Sequence, residues 1–170
     1  MKRNEIVIYG MGIAVVFVST FFVKIPNAID GYMNLGDGMI MLFASIASPL
    51  GAFLIGGVGS AMADLVGGYP HYILFTLLIK GFEAIVISIL YRRLPKKIKG
   101  LSYFVGSIIM VVGYFFAKWY LKASMLVALS GVPENILQST IGMVIALLCI
   151  KKFIQVAKDH NMVYEKNRTN

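Results

Sequence analysis

The sequence predicts an all-α, polytopic membrane protein: a bundle of six transmembrane helices with both termini in the cytoplasm. Three observations predict it. Of the 170 residues, 58% are apolar and only 14% are charged, with a mean hydropathy of +0.78, whereas a soluble domain carries about 25% charged residues. The apolar residues form runs separated by short polar turns, and the length accommodates about six such spans. The formal charge of +8 is gathered at the ends of the runs. On the side of the termini lie Lys2, Arg3, Arg92, Arg93, Lys96, Lys97, Lys99, Lys151, Lys152, Lys158, Lys166 and Arg168, against Lys24, Lys118 and Lys122 on the other. The positive-inside rule then puts both termini in the cytoplasm. Basic residues in that arrangement orient a chain in a bilayer and give no reason to expect nucleic-acid binding.

The first span covers about 5–23. Its basic start resembles a signal peptide, but no small-residue cleavage pattern follows, so it is read as a retained helix. Gly10-Met11-Gly12-Ile13-Ala14 has the small-xxx-small spacing that lets another helix approach, either from this chain or from a different subunit. Lys24 to Leu35 reads as a polar loop broken by Pro26 and Gly31. The second span, about 36–48, is too short to cross a core of about 30 Å unaided. Pro49 opens the third, about 50–66, at its first position. That span is smooth with glycine, serine and alanine, and the turn Gly67-Gly68-Tyr69-Pro70-His71 follows it.

The fourth span, about 72–92, organises the rest. Thr76, Lys80 and Glu83 interrupt an apolar run at helical spacing, so they share one face. A charge facing lipid costs on the order of 2.5–3.5 kcal/mol at the bilayer centre; this face therefore turns towards protein or a wet cavity. Lys80 and Glu83 are one turn apart and offset each other, which leaves Asp37 and Asp64 as uncompensated carboxylates. That balance favours ligands that donate hydrogen bonds or carry positive charge.

The fifth span, about 101–120, ends in Lys118, Trp119, Tyr120 and Lys122, which read as an interface anchor. Ala123 to Gly131 reads as a short interfacial helix or loop. The sixth, about 133–154, starts with Asn135, Gln138, Ser139 and Gly142 on one face. The tail from Ala157 reads as polar and frayed. Cys149, the single cysteine, excludes an internal disulfide and reads as an inert buried thiol.

With this topology Asn34, Asp37, Asp64, Thr76, Lys80, Glu83, Asn135 and Gln138 gather in the outer half, beside loops holding Tyr32, Tyr69 and His71. A mostly apolar cavity with a few placed polar groups is what a small-molecule site looks like. The sequence has no GxxxxGK[ST] loop, no HExxH and no GxSxG, so it cannot energise transport with its own ATP hydrolysis and offers little for an enzyme.

At Gly31-Tyr32-Met33-Asn34-Leu35-Gly36-Asp37, Gly51 to Asp64 (GAFLIGGVGSAMAD), Gly68-Tyr69-Pro70 and Ile79-Lys80-Gly81-Phe82-Glu83, the chain resembles a known family. This is the substrate-binding S component of energy-coupling factor (ECF) vitamin transporters of bacteria, most nearly the HmpT-like branch for hydroxymethylpyrimidine or pyridoxine. The motifs cover the second to fourth spans. The resemblance implies a multi-pass protein of the bacterial cell membrane that captures a vitamin or precursor outside and delivers it inward. Its implied partners are a transmembrane coupling subunit and two cytoplasmic ATPase subunits; ATP is used by those subunits, with no cofactor or metal in this chain.

The resemblance also puts Asn34, Asp37, Tyr69, His71, Thr76, Lys80, Glu83, Asn135 and Gln138 in or near the substrate site. Gly10 and Ala14 fit the family's contact face for the coupling subunit, although Val18 stands where a small residue is usual. Three other readings are open to the sequence. They are an S component for an anionic vitamin such as pantothenate with Lys80 as counter-ion, a small intramembrane enzyme using Glu83 as base, and a purely structural membrane subunit.

Overall fold

A computed structural model describes residues 3–26 and 32–164 of the chain. Part of the expected polar loop (27–31) and the last part of the expected tail (165–170) lie outside the described residues, as do Lys2, Lys166 and Arg168. The fold is all-α apart from one small hairpin. In chain order it runs α1 (Arg3–Phe21), β1 (Lys24–Pro26), β2 (Tyr32–Asn34), α2 (Gly36–Ala44), α3 (Pro49–Phe53), a π-helical turn (Leu54–Val58) and α4 (Gly59–Gly67). It continues through α5 (Ile73–Arg93), α6 (Leu101–Lys122), the short α7 (Met125–Ser130) and α8 (Val132–Asp159). Four helical stretches, Pro49–Gly67, Pro70–Arg93, Lys96–Lys122 and Met125–Asp159, are long and apolar enough to cross a membrane; Glu5–Phe21 is a shorter apolar helix.

The molecule is polar inside and apolar outside at its waist. Asp37, Lys80 and Glu83 are buried, while Leu50, Leu74, Phe82, Phe104 and Leu148 are exposed. A water-soluble domain does the reverse; this arrangement suits a surface solvated by lipid.

Helix α2 explains the burial at the centre. With nine residues it covers only about 14 Å, about half a hydrocarbon core, so it is no lipid-facing span of full length. It is instead wrapped by α1, α5 and α8, and nearly every residue from Gly36 to Ala44 is buried. Gly142 of α8 permits this: a Cβ there would lie 2.8 Å from the Cβ of Asp37 and from the Gly38 nitrogen. Pro49 stands in the first turn of α3, as the sequence predicts, and Ser48 caps that helix by accepting the Gly51 N–H at 3.0 Å.

The rod from α3 through α4 is squeezed between α1 and α5. A Cβ at Gly57 would sit 2.6 Å from the Leu77 carbonyl oxygen, and one at Gly59 would sit 2.9 Å from the Ile13 carbonyl oxygen. The small residues of this run therefore bring backbones together, as expected of a smooth helix. The π-helical turn in its middle has no sequence signal of its own.

Several expectations are corrected. The polar loop after α1 is a β-hairpin in its described part, pairing Lys24 with Asn34 and Pro26 with Tyr32. The tail is not frayed from Ala157: α8 runs to Asp159, and the Tyr164 N–H donates to the Ile46 carbonyl at 2.8 Å. Cys149 is exposed, because it falls on the outer face of α8. Lys118 does not snorkel outward; it is buried, while Trp119 and Tyr120 remain exposed.

Candidate functional site

The face of α5 that carries Thr76, Lys80 and Glu83 turns inward, and the three side chains are 2%, 2% and 0% exposed. The Lys80 ammonium forms an ion pair with Asp37 of α2 and approaches Glu83 Oε2 at 3.3 Å. The Lys80–Glu83 pairing expected from sequence is thus present, but Lys80 also reaches across to a second helix. Asp37 is consequently neither uncompensated nor a water-exposed helix-end carboxylate. Its position in the first turn of α2 adds the favourable field of a helix N-terminus.

Gln138 of α8 extends this cluster. Its Nε2 donates to Asp37 Oδ2 at 2.9 Å, and its Oε1 accepts the Asn34 backbone N–H at 2.9 Å and Asn34 Nδ2 at 3.2 Å. Asn34 Oδ1 in turn accepts the Gly36 N–H at 2.8 Å. One connected network therefore ties the hairpin, α2, α5 and α8, with both oxygens of Asp37 occupied. Buried charges need this degree of pairing to be tolerated.

Beside the network lies a cavity of about 60 Å³. At about 10–15 Å³ of such room per water, it holds on the order of four to six waters. Four helices each contribute an i,i+4 pair to its wall: Ser60 and Asp64 from α4, Thr76 and Lys80 from α5, Tyr114 and Lys118 from α6, Glu134 and Gln138 from α8. Thr20, Asn34, Asn135 and the rings of Tyr32, Tyr69 and Tyr72 complete it.

Tyr32 donates to Asp64 Oδ1 at 2.5 Å. Burial, together with the neighbouring Asp64 charge, pushes its phenol well above the usual value, so it stays protonated and remains a donor. The Tyr32 and Tyr69 rings are 5.0 Å apart, and the Lys24 ammonium sits over both. Tyr114 donates to Thr76 Oγ1 at 3.0 Å.

Comparison with known proteins places the fold. A family model described as "ECF-type riboflavin transporter, S component" matches residues 1–155. The chain belongs to this S-component family. It is a transporter component of the membrane, and not an enzyme; membership implies association with an ECF module. An uncharacterised protein of Pyrococcus woesei is 44% identical over 106 residues, covering 58% of this chain and 68% of that protein. The thiamine precursor transporter HmpT of Lactococcus lactis subsp. cremoris is 26% identical over 146 residues, covering 86% of this chain and 84% of that one.

Of the residues singled out in this S component, Asn34, Tyr69, Thr76, Lys80, Asn135 and Gln138 line the cavity. Asp37 and Glu83 are drawn into the network behind Lys80 and do not line it. His71 is exposed and outside the wall, its ring tilted against Tyr69 and Tyr72 at 6.4 and 4.8 Å. Trp119 packs with Phe115 and Phe116 away from the cavity. Sequence reasoning gave no weight to Thr20, Ser60, Tyr72, Tyr114 or Glu134. Tyr114 hides among Val111, Val112, Phe115 and Phe116, where it looks like another lipid-facing ring; its i,i+4 relation to Lys118 was the available signal.

Gly10 and Ala14 lie on the exposed face of α1, and a Cβ at Gly10 would meet nothing within 4 Å. Val18, one turn further on, is also exposed. The second glycine of that motif, Gly12, is used within the chain: a Cβ there would lie 2.8 Å from Ile55.

Proposed function

We propose that this S component captures a small heteroaromatic vitamin or precursor, of the hydroxymethylpyrimidine or pyridoxine kind, and hands it inward when coupled to an ECF module. The observation that carries this reading is the cavity itself: compact, ringed by tyrosines and polar side chains, and resting on the Asp37–Lys80–Glu83 cluster. Room for about four to six waters suits one substituted six-membered ring better than the fused tricycle of riboflavin. The named activity of the Lactococcus relative, thiamine precursor transport, supports the same class.

The substrate-contacting set in this reading is Asn34, Tyr69, Thr76, Lys80, Asn135 and Gln138, with Asp37 and Glu83 holding Lys80 in place. The hairpin end of the bundle faces outward and both termini face the cytoplasm in a six-span topology. The basic residues Arg92, Arg93, Lys96, Lys97, Lys99, Lys151, Lys152 and Lys158 at the opposite end support that orientation. The bilayer is the bacterial plasma membrane. The exposed Gly10–Ala14 face meets the coupling subunit, and two cytoplasmic ATPases supply the energy. An anionic ligand such as pantothenate is less favoured, because Lys80 already faces two carboxylates and has little attraction left for a third.

Mass spectrometry of small molecules that co-purify in mild detergent tests the class. Calorimetry with hydroxymethylpyrimidine, pyridoxine, pantothenate and riboflavin then ranks them. Tight binding of riboflavin or pantothenate, with no binding of either single-ring base, would overturn the reading.

A further inference from the structure

The α4 side of the cavity carries buried polar atoms that the protein itself leaves without partners. Asp64 and Ser60 are 3% and 2% exposed, and both line the cavity. Tyr32 occupies Asp64 Oδ1, but Asp64 Oδ2 and Ser60 Oγ have no hydrogen-bond partner among the described residues. Thr76 stands within hydrogen-bonding reach of the same carboxyl, although Oδ2 itself has no partner at hydrogen-bond distance and angle among the described residues. Thr20 Oγ1, from α1, is likewise buried in the wall and unbonded. Buried polar atoms are nearly always satisfied, and those that are not call for an explanation.

Chemistry narrows what could satisfy them. A carboxylate that already accepts a hydrogen from Tyr32 can only accept again at Oδ2. Ser60 is one helical turn before Asp64, so the two side chains share the face that lines the cavity. Two adjacent acceptors match a group with two hydrogens on one atom. The other carboxylate near the cavity, Asp37, has both oxygens taken by Lys80 and Gln138, so it does not compete for that group.

Resting on the single-ring heteroaromatic reading above, we infer that Asp64 and Ser60 form the selecting end of the cavity and read an exocyclic amino group on the ring. One N–H is donated to Asp64 Oδ2 and the other to Ser60 Oγ. A hydroxyl at this position brings one hydrogen and satisfies only one of the two acceptors, and a ring carbonyl brings none. The site therefore prefers aminopyrimidines over pyridoxine-type rings.

The test is calorimetry on the full chain in detergent with three probes. They are 4-amino-5-hydroxymethyl-2-methylpyrimidine, its 4-hydroxy counterpart and pyridoxine. The expected result is that the amino probe binds at least about tenfold more tightly than the other two. Asp64→Asn and Ser60→Ala each lower its affinity, Asp64→Asn by about tenfold or more, while affinity for the 4-hydroxy probe changes by less than about threefold. Ser60→Ala removes only a hydroxyl and keeps the readout available if Asp64→Asn fails to fold. Equal binding of all three probes, or unchanged affinity for the amino probe in both variants, overturns the inference and leaves the carrier reading intact. No binding of any probe to the unaltered chain sinks both.

Discussion

Lys80 of α5 pairs with Asp37 of α2 across the centre of the bundle, and Gln138 of α8 holds the other oxygen of the same carboxylate at 2.9 Å. Glu83 makes the cluster two carboxylates to one ammonium. Removing the ammonium leaves two buried carboxylates with no cation between them, which costs more than the pair contributed. Lys80→Met is expected to destabilise the protein by about 3–5 kcal/mol, measured by chemical denaturation in detergent. The neutral triple variant Asp37→Asn, Lys80→Met, Glu83→Gln is expected to recover much of that loss. A single variant as stable as the parent would refute the pairing.

Gln138 is the link between the hairpin and this cluster. Gln138→Ala leaves the Asn34 backbone N–H without its acceptor and Asp37 Oδ2 without its donor. The expected loss is about 1–3 kcal/mol, with faster amide hydrogen exchange at Tyr32–Asn34 than at the centre of α5. Unchanged exchange in the hairpin would show that Gln138 does not hold it.

Two glycines separate internal packing from assembly. A Cβ at Gly57 would come within 2.6 Å of the Leu77 carbonyl oxygen, so Gly57→Ala is expected to cost about 1–3 kcal/mol by overpacking. Gly10 faces open space, so Gly10→Leu is expected to leave the melting temperature of the isolated chain unchanged. The same substitution should reduce recovery of the chain with a co-expressed ECF module. Full recovery would remove Gly10 from the contact face.

Tyr32 gives a pH prediction. Its phenol is raised above the usual value of about 10, so the folded state holds this proton more tightly than the unfolded chain does. The stability it contributes is fully present below about pH 10 and is lost as pH rises through the folded value. Tyr32→Phe is therefore expected to flatten the alkaline fall in melting temperature. An unaltered alkaline limb would mean that other groups set it.

Much of this was legible in the sequence where one helix sufficed to show it. Thr76, Lys80 and Glu83 stand out because ionisable residues in an apolar run have to face inward, and their shared face follows from spacing alone. The partner of Lys80 was not legible. Asp37 is far away in sequence, and only the burial of the nine-residue α2 brings it to the centre. Lys118 was misread for a related reason: a lysine next to aromatic rings near a helix end looks the same whether it snorkels or turns inward. Ser60 was seen as one more small residue in a smooth helix, although its spacing to Asp64 matches that of the other wall pairs.

Because Asn34 is held by Gln138, and Gln138 by Asp37, the hairpin is latched to the charges beneath it. Lifting β2 means undoing two Asn34–Gln138 hydrogen bonds, on the order of 0.5–1.5 kcal/mol each, and the Tyr32 bond to the Asp64 carboxylate, about 1.5–3 kcal/mol, with no covalent bond. A latch of that strength opens readily at ambient temperature and recloses without help.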